Sequence, residues 1–208
     1  MNTEQNMELF RENLAMKIDA LLSPEICKEL ISKYENFSIE NPINITSEKI
    51  IKECSDMIFV NDLDAFLTNY FQSKYKVFYS TFDVVDSSTS VSIYPSKLWH
   101  LDGGIPKTLK LFLYLTPVSE HGGNTIYVDQ KRTKMLIKAG ELPINMEERK
   151  EDLTQVFDQM GVDNSSLAYD LKVGDGLLFS PLLLAHRCLP PKEDKKRYTI
   201  SFTLIPWS

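Results

Sequence analysis

The sequence predicts an α+β fold, with helices first and an antiparallel sandwich or barrel after them. Three observations carry that expectation. Apolar residues recur at helical spacing through roughly the first 75 positions. From about Lys76 the chain breaks into short runs of β-branched and aromatic residues punctuated by Gly and Pro. No repeat, low-complexity tract or linker divides the 208 residues, which suits one domain around one core.

In the helical part, Phe10, Leu14, Ile18 and Leu21 recur at a spacing that predicts a helix over 7–21. Ser23 followed by Pro24 marks a second start: a hydroxyl to cap free N–H groups, then a residue preset for the first turn. Ile26, Leu30, Ile31 and Tyr34 form its apolar stripe. A third helix is expected from Asn61 or Asp62, burying Leu63, Phe66, Leu67, Tyr70 and Phe71. The strand candidates are KVFYSTFDVV, STSVSIYP, TLKLFLYLTP, NTIYV, DGLLFSP and RYTISFTLIP. Residues 131–169 interrupt them as an insertion, with a helix expected over Met146–Met160. Its role is either a lid over a site or a cover for a sheet edge.

Composition excludes several classes. With 23 Lys plus Arg against 29 Asp plus Glu, the formal charge is −6, which argues against a nucleic-acid or anionic-membrane surface. The cluster Lys131, Arg132, Lys134, Lys138 is of the size usually found on a solvated face. No apolar run is long enough for a membrane span, and the N-terminus lacks a signal pattern, so a cytoplasmic location is expected. Cys27, Cys54 and Cys188 are widely spaced and suggest neither a disulfide framework nor a zinc site.

The chemistry-bearing residues are few. The three histidines are His100, His121 and His186. His100 and Asp102 stand two apart in WHLDGG, so in extended backbone they point to one side. His186, distant in sequence, is the candidate third ligand. Two histidines and a carboxylate on one face form the open triad associated with non-haem iron(II) oxygenases. On spacing alone, a hydrogen-bonded histidine near a turn is the better account of such a pair. Further on, RYTISFTLIP alternates strictly. Tyr198, Ile200, Phe202 and Leu204 face one way; Arg197, Thr199, Ser201 and Thr203 face the other. The polar set either meets solvent on an edge strand or, beside the His186 strand, forms an arginine-hydroxyl clamp for a carboxylate.

The ordered set of motifs resembles the iron(II)/2-oxoglutarate-dependent dioxygenase superfamily, in its prolyl-hydroxylase-like and phytanoyl-CoA-hydroxylase-like branches. LLSPEICKELI is similar to the N-terminal helix of those enzymes and WHLDGG to their first ligand motif. LFLYLTPVSEHGGNTIYV is similar to the strand, turn and strand that follow. LKVGDGLLFSPLLLAHRCLPP matches the distal-histidine segment and KRYTISF the oxoglutarate-binding strand. The correspondence covers most of residues 20–206.

The resemblance implies a double-stranded β-helix (jelly-roll, cupin-like) core with the N-terminal helices packed on one sheet. Residues 1–75 would be mainly helical support and 76–208 the β-core. It implies iron(II) held by His100, Asp102 and His186, and 2-oxoglutarate bound by Arg197, Thr199 and Tyr94, with O2 as oxidant. Many prolyl hydroxylases use lysine where this chain has Arg197, which tilts the likeness away from them. Relatives that halogenate carry a small residue in place of Asp102, so the carboxylate favours hydroxylation. His121 fits no ligand position and is read as surface polar. Trp99, Gly103 and Gly104, with the insertion, are expected to border the substrate. The expected substrate is a small metabolite such as an amino acid or biosynthetic intermediate. The alternatives are a protein or peptidyl hydroxylase, and a non-catalytic barrel that binds a metal or small acid.

Overall fold

The computed structural model describes residues 3–40, 48–89 and 94–207. Four helices lead: α1 (Thr3–Asn13), α2 (Pro24–Glu40), α3 (Glu48–Ile58) and α4 (Asn61–Phe71), with a short strand β1 (Ala15–Ile18) between the first two. Then come β2 (Lys74–Asp86), β3 (Leu109–Tyr114), α5 (Val118–His121), β4 (Thr125–Tyr127), α6 (Gln130–Lys138), α7 (Thr154–Met160), β5 (Gly176–Phe179), β6 (His186–Cys188) and β7 (Lys196–Trp207). The larger sheet runs β1-β5-β3-β7-β2, antiparallel throughout; β4 and β6 form a second, two-stranded sheet.

Side-chain alternation divides the larger sheet into two unlike faces. Phe82, Leu109, Leu111, Leu113, Leu178, Ile200, Phe202 and Leu204 point to one side and pack with Phe10, Leu30, Tyr34, Phe66, Leu67 and Phe71 of the helices. On the opposite face, Phe112, Tyr114, Leu177 and Phe179 meet Tyr127 of β4 and Leu184. The small sheet covers this inner face at one end, and the insertion covers the small sheet in turn. Ile126 and Val128 pack there against Leu136, Leu153, Val156 and Phe157. The insertion thus seals a sheet face, and through Trp99 it also packs beside the first-histidine loop.

Three sequence expectations are corrected. The helix expected over 7–21 ends at Asn13, because Leu14 adopts φ 55° and Ala15–Ile18 pairs with β5 as a strand. Sheet hydrogen bonds override an apolar spacing that suits either structure over so few residues. The helix expected over Met146–Met160 is a 3-10 turn at Met146–Glu148 and a separate α7. Asp152 accepts from the Thr154 amide and hydroxyl, a local turn that competes with continued helix. His121 is buried rather than surface polar: its Nδ1 accepts from the Gly123 amide at 3.0 Å, and its Nε2 faces the Thr116 carbonyl at 3.3 Å.

Arg132, from the cationic cluster, is also buried, bonded to Asp129 and to the carbonyls of Asp163 and Ser165. The candidate strand STSVSIYP lies largely outside the described residues, which resume at Tyr94. All three cysteines are free and buried. No helix among the described residues is long and apolar enough to cross a membrane.

Candidate metal and oxoglutarate site

His100 lies just beyond the 3-10 turn Pro95–Lys97, and His186 opens β6. The two form an isolated antiparallel bridge, each donating its amide to the other's carbonyl at 3.1 and 3.0 Å. Directly opposed residues in such a pair project to the same side, and their rings stand 4.3 Å apart. Asp102 joins them because its amide donates to the Pro181 carbonyl at 3.0 Å, keeping the loop extended. Asp102 Oδ1 lies 3.4 Å from His100 Nε2 and 3.8 Å from His186 Nε2. One ligand atom from each residue falls within 4.8 Å of the others.

The protonation pattern suits a metal. Each Nδ1 sits beside the carbonyl two residues earlier, His100 at 2.7 Å from Leu98 and His186 at 2.9 Å from Leu184. A carbonyl only accepts, so each Nδ1 carries a hydrogen, and a neutral ring in this pose turns its Nε2 lone pair to the shared point. Burial, with His100 alongside, lowers the His186 pKa to about 3, so this ring stays neutral at physiological pH. Burial pushes the Asp102 carboxyl up, but the Lys110 ammonium against it opposes this, and the carboxyl is held well below its usual range. Two nitrogen lone pairs and a carboxylate aimed at one point call for a cation. Lys110 Nζ holds the other oxygen, Oδ2, at 2.5 Å, leaving Oδ1 to the shared point.

The second half of the site lies along β7. Arg197, Thr199, Ser201 and Thr203 face inward, and register sets Asp83 and Tyr114 beside Thr199, and Thr81 and Phe112 beside Ser201. Arg197 is 1% exposed. Its Nη2 donates to the Tyr94 hydroxyl at 2.8 Å, whereas Nε, Nη1 and the Thr199 hydroxyl are buried without a hydrogen-bond partner among the described residues. Buried donors are normally satisfied, so orphaned ones mark the place of a missing acceptor. Tyr94, Thr81, Asp83, Lys110, Phe112 and Ser201 help line a cavity of about 210 Å³ on this face.

The solved structures that resemble this chain share its architecture over nearly the whole length. One is SnoK, described as a non-haem α-ketoglutarate-dependent carbocyclase from nogalamycin biosynthesis. It shows 15% identity and a TM-score of 0.69, with 98% of this chain and 84% of that one covered. The fold is that of the iron/2-oxoglutarate-dependent oxygenases. HygX from Streptomyces hygroscopicus, with nickel and 2-oxoglutarate bound, matches at 13% identity and TM-score 0.62, covering 99% of this chain and 88% of that one. EctD from S. alaskensis, with 2-oxoglutarate and 5-hydroxyectoine, gives 13%, 0.62, and coverage of 97% and 75%. No protein-family model and no curated protein matches the sequence.

All six residues singled out in the sequence fall around this face, His100, Asp102 and His186 at one end and Tyr94, Arg197 and Thr199 at the other. Sequence reasoning missed Lys110 and Asp83. Lys110 is the one charged residue of β3 and Asp83 falls at an inward-facing position of β2, and that phase was the available signal. Trp99 is 6% exposed and packs beneath the insertion rather than on the inner face.

Proposed function

We propose that the protein is an iron(II)- and 2-oxoglutarate-dependent oxygenase that hydroxylates a small metabolite. One observation carries it. A triad of convergent lone-pair donors shares an enclosed face with a buried arginine whose free N–H groups await a carboxylate. His100, Asp102 and His186 would hold the iron. Arg197 and Thr199, with Tyr94 steadying the guanidinium, would hold the distal carboxylate of oxoglutarate. Bound iron(II) and oxoglutarate supply an oxidant from O2, with succinate and carbon dioxide as coproducts.

The chain's own residues provide orientation and exclusion of water. Lys110 keeps Asp102 on one oxygen, which leaves coordination positions open. Phe112 and Phe179 give the inner face apolar walls. The modest cavity supports a small substrate over a peptide, and the retained carboxylate of Asp102 supports hydroxylation over halogenation. A second reading draws on SnoK and SnoN, described as a carbocyclase and an epimerase, since C–H oxidation on this fold can end without oxygen insertion.

Anaerobic addition of iron(II) and oxoglutarate together is expected to produce a visible charge-transfer band and raise the melting temperature. Absence of both would overturn the oxygenase proposal. Product masses then separate hydroxylation, a gain of one oxygen atom, from cyclisation, a loss of two hydrogens, and from epimerisation, no change.

A further inference from the structure

Asp83 is a titratable group in the active-site cavity that the proposed chemistry leaves unused. It lies on β2 directly opposite Thr199, one row from the Thr81–Ser201 pair. Its Oδ2 accepts from the Thr81 hydroxyl at 2.9 Å, and that hydroxyl lies 2.6 Å from Ser201 Oγ. Asp83 makes no ion pair among the described residues. The cavity's lysine, Lys110, is engaged with Asp102 at 2.5 Å, and Arg197 donates to Tyr94. Burial pushes the Asp83 carboxyl up in spite of those two cations.

A half-buried carboxylate at the wall of a cavity is still partly desolvated, which favours a partner that brings a donor. The sheet offers no structural reason for it. The flanking inward positions of β2 are Thr81 and Val85 and the residue opposite is Thr199, so an uncharged side chain at position 83 would continue the row without a charge to desolvate. Lys110 is engaged by Asp102, and Arg197 makes no hydrogen bond or ion pair to Asp83 among the described residues, so the carboxylate is open to a donor brought by a ligand.

We propose that Asp83 selects the substrate by pairing with its ammonium group, so that the enzyme acts on a small amine, with the Thr81 and Ser201 hydroxyls beside the same group. The inference rests on the oxygenase proposal for what becomes of the amine, but the binding preference can be measured independently of turnover.

Matched probes test it: putrescine against 1,4-butanediol, tyramine against tyrosol, and glucosamine against glucose, followed by thermal shift and calorimetric titration of the whole chain. In the wild type, at least one amine is expected to bind roughly 10-fold or more tightly than its alcohol, as a charge-assisted hydrogen bond implies. In Asp83→Asn that ratio should fall to about 1, while Asp83→Glu, which keeps the charge, retains an amine preference. No amine preference in the wild type would overturn the proposal, as would a preference undiminished in Asp83→Asn. Manganese plus oxoglutarate forms the separate arm. Equal stabilisation of wild type and Asp83→Asn is expected, and its absence in both counts against the oxygenase proposal, not against Asp83 as an amine site.

Discussion

Arg197 is among the most completely buried large side chains of the described residues, and two of its nitrogens find no hydrogen-bond partner among them. An unpaired guanidinium there makes sense as a site for an acid. Arg197→Met is expected to weaken oxoglutarate on the order of 100-fold, as loss of a bidentate charged pair implies, while metal titration is unchanged. Tyr94→Phe removes one hydroxyl partner of that guanidinium, so a weaker effect of about 5-fold is expected in the same titration. The face of β7 that carries Arg197 was legible in sequence because strand alternation has a period of two and needs no knowledge of neighbours. Lys110 and Asp83 were not, since their meaning depends on lying across from Asp102 and Thr199.

At the scale of elements, the turn before β5 ties the helical layer to the sheet. Asp175 accepts from the amides of Ala20 at 3.0 Å and Lys172 at 2.8 Å, and pairs with Lys17 at 2.9 Å. Burial pushes its carboxyl up, but these donors outweigh it and lower the pKa below the ordinary value. A lowered folded pKa means the unfolded chain takes up the proton first as pH falls. The stabilisation is therefore complete above the unfolded value of about 3.9 and drains away as pH drops through the folded one. Asp175→Asn should cost about 2 kcal/mol at neutral pH and flatten the acid limb of a melting-temperature profile. Gly174, at φ +80°, has the Leu22 carbonyl oxygen 1.9 Å from where a Cβ would stand. Gly174→Ala is therefore expected to destabilise by at least ~3 kcal/mol in denaturant unfolding.

Element boundaries were the least legible part of the sequence. Leu14 and Ile18 continue the apolar pattern of α1, yet the chain leaves the helix at Leu14 to add a strand beside β5. The gain comes from a partner strand about 160 positions away, which a local pattern cannot register. The start of α2 was readable, because Ser23 accepts from the Ile26 amide within the same turn.

For the whole molecule, the larger sheet separates two functions. Its outer face carries the helices and its inner face carries the chemistry, so stability and activity should respond to different substitutions. Phe202 is fully buried on the outer face, edge-on to Phe59 at 5.3 Å. Phe202→Ala is expected to cost about 3–5 kcal/mol by chemical denaturation while leaving metal affinity unaltered below the unfolding transition.

By itself the sequence determined the helices-then-strands order and the two-faced pattern of β7, both of which depend on periodicities that run along the chain. The triad and the arginine were candidates that the family resemblance supplied. Only the tertiary structure decided that His186 pairs with His100, that β7 lies between β3 and β2, that Asp83 and Lys110 line one cavity, and that Lys110 reaches Asp102. Those facts are set by hydrogen bonds between segments far apart in the chain, where packing alone chooses the neighbour.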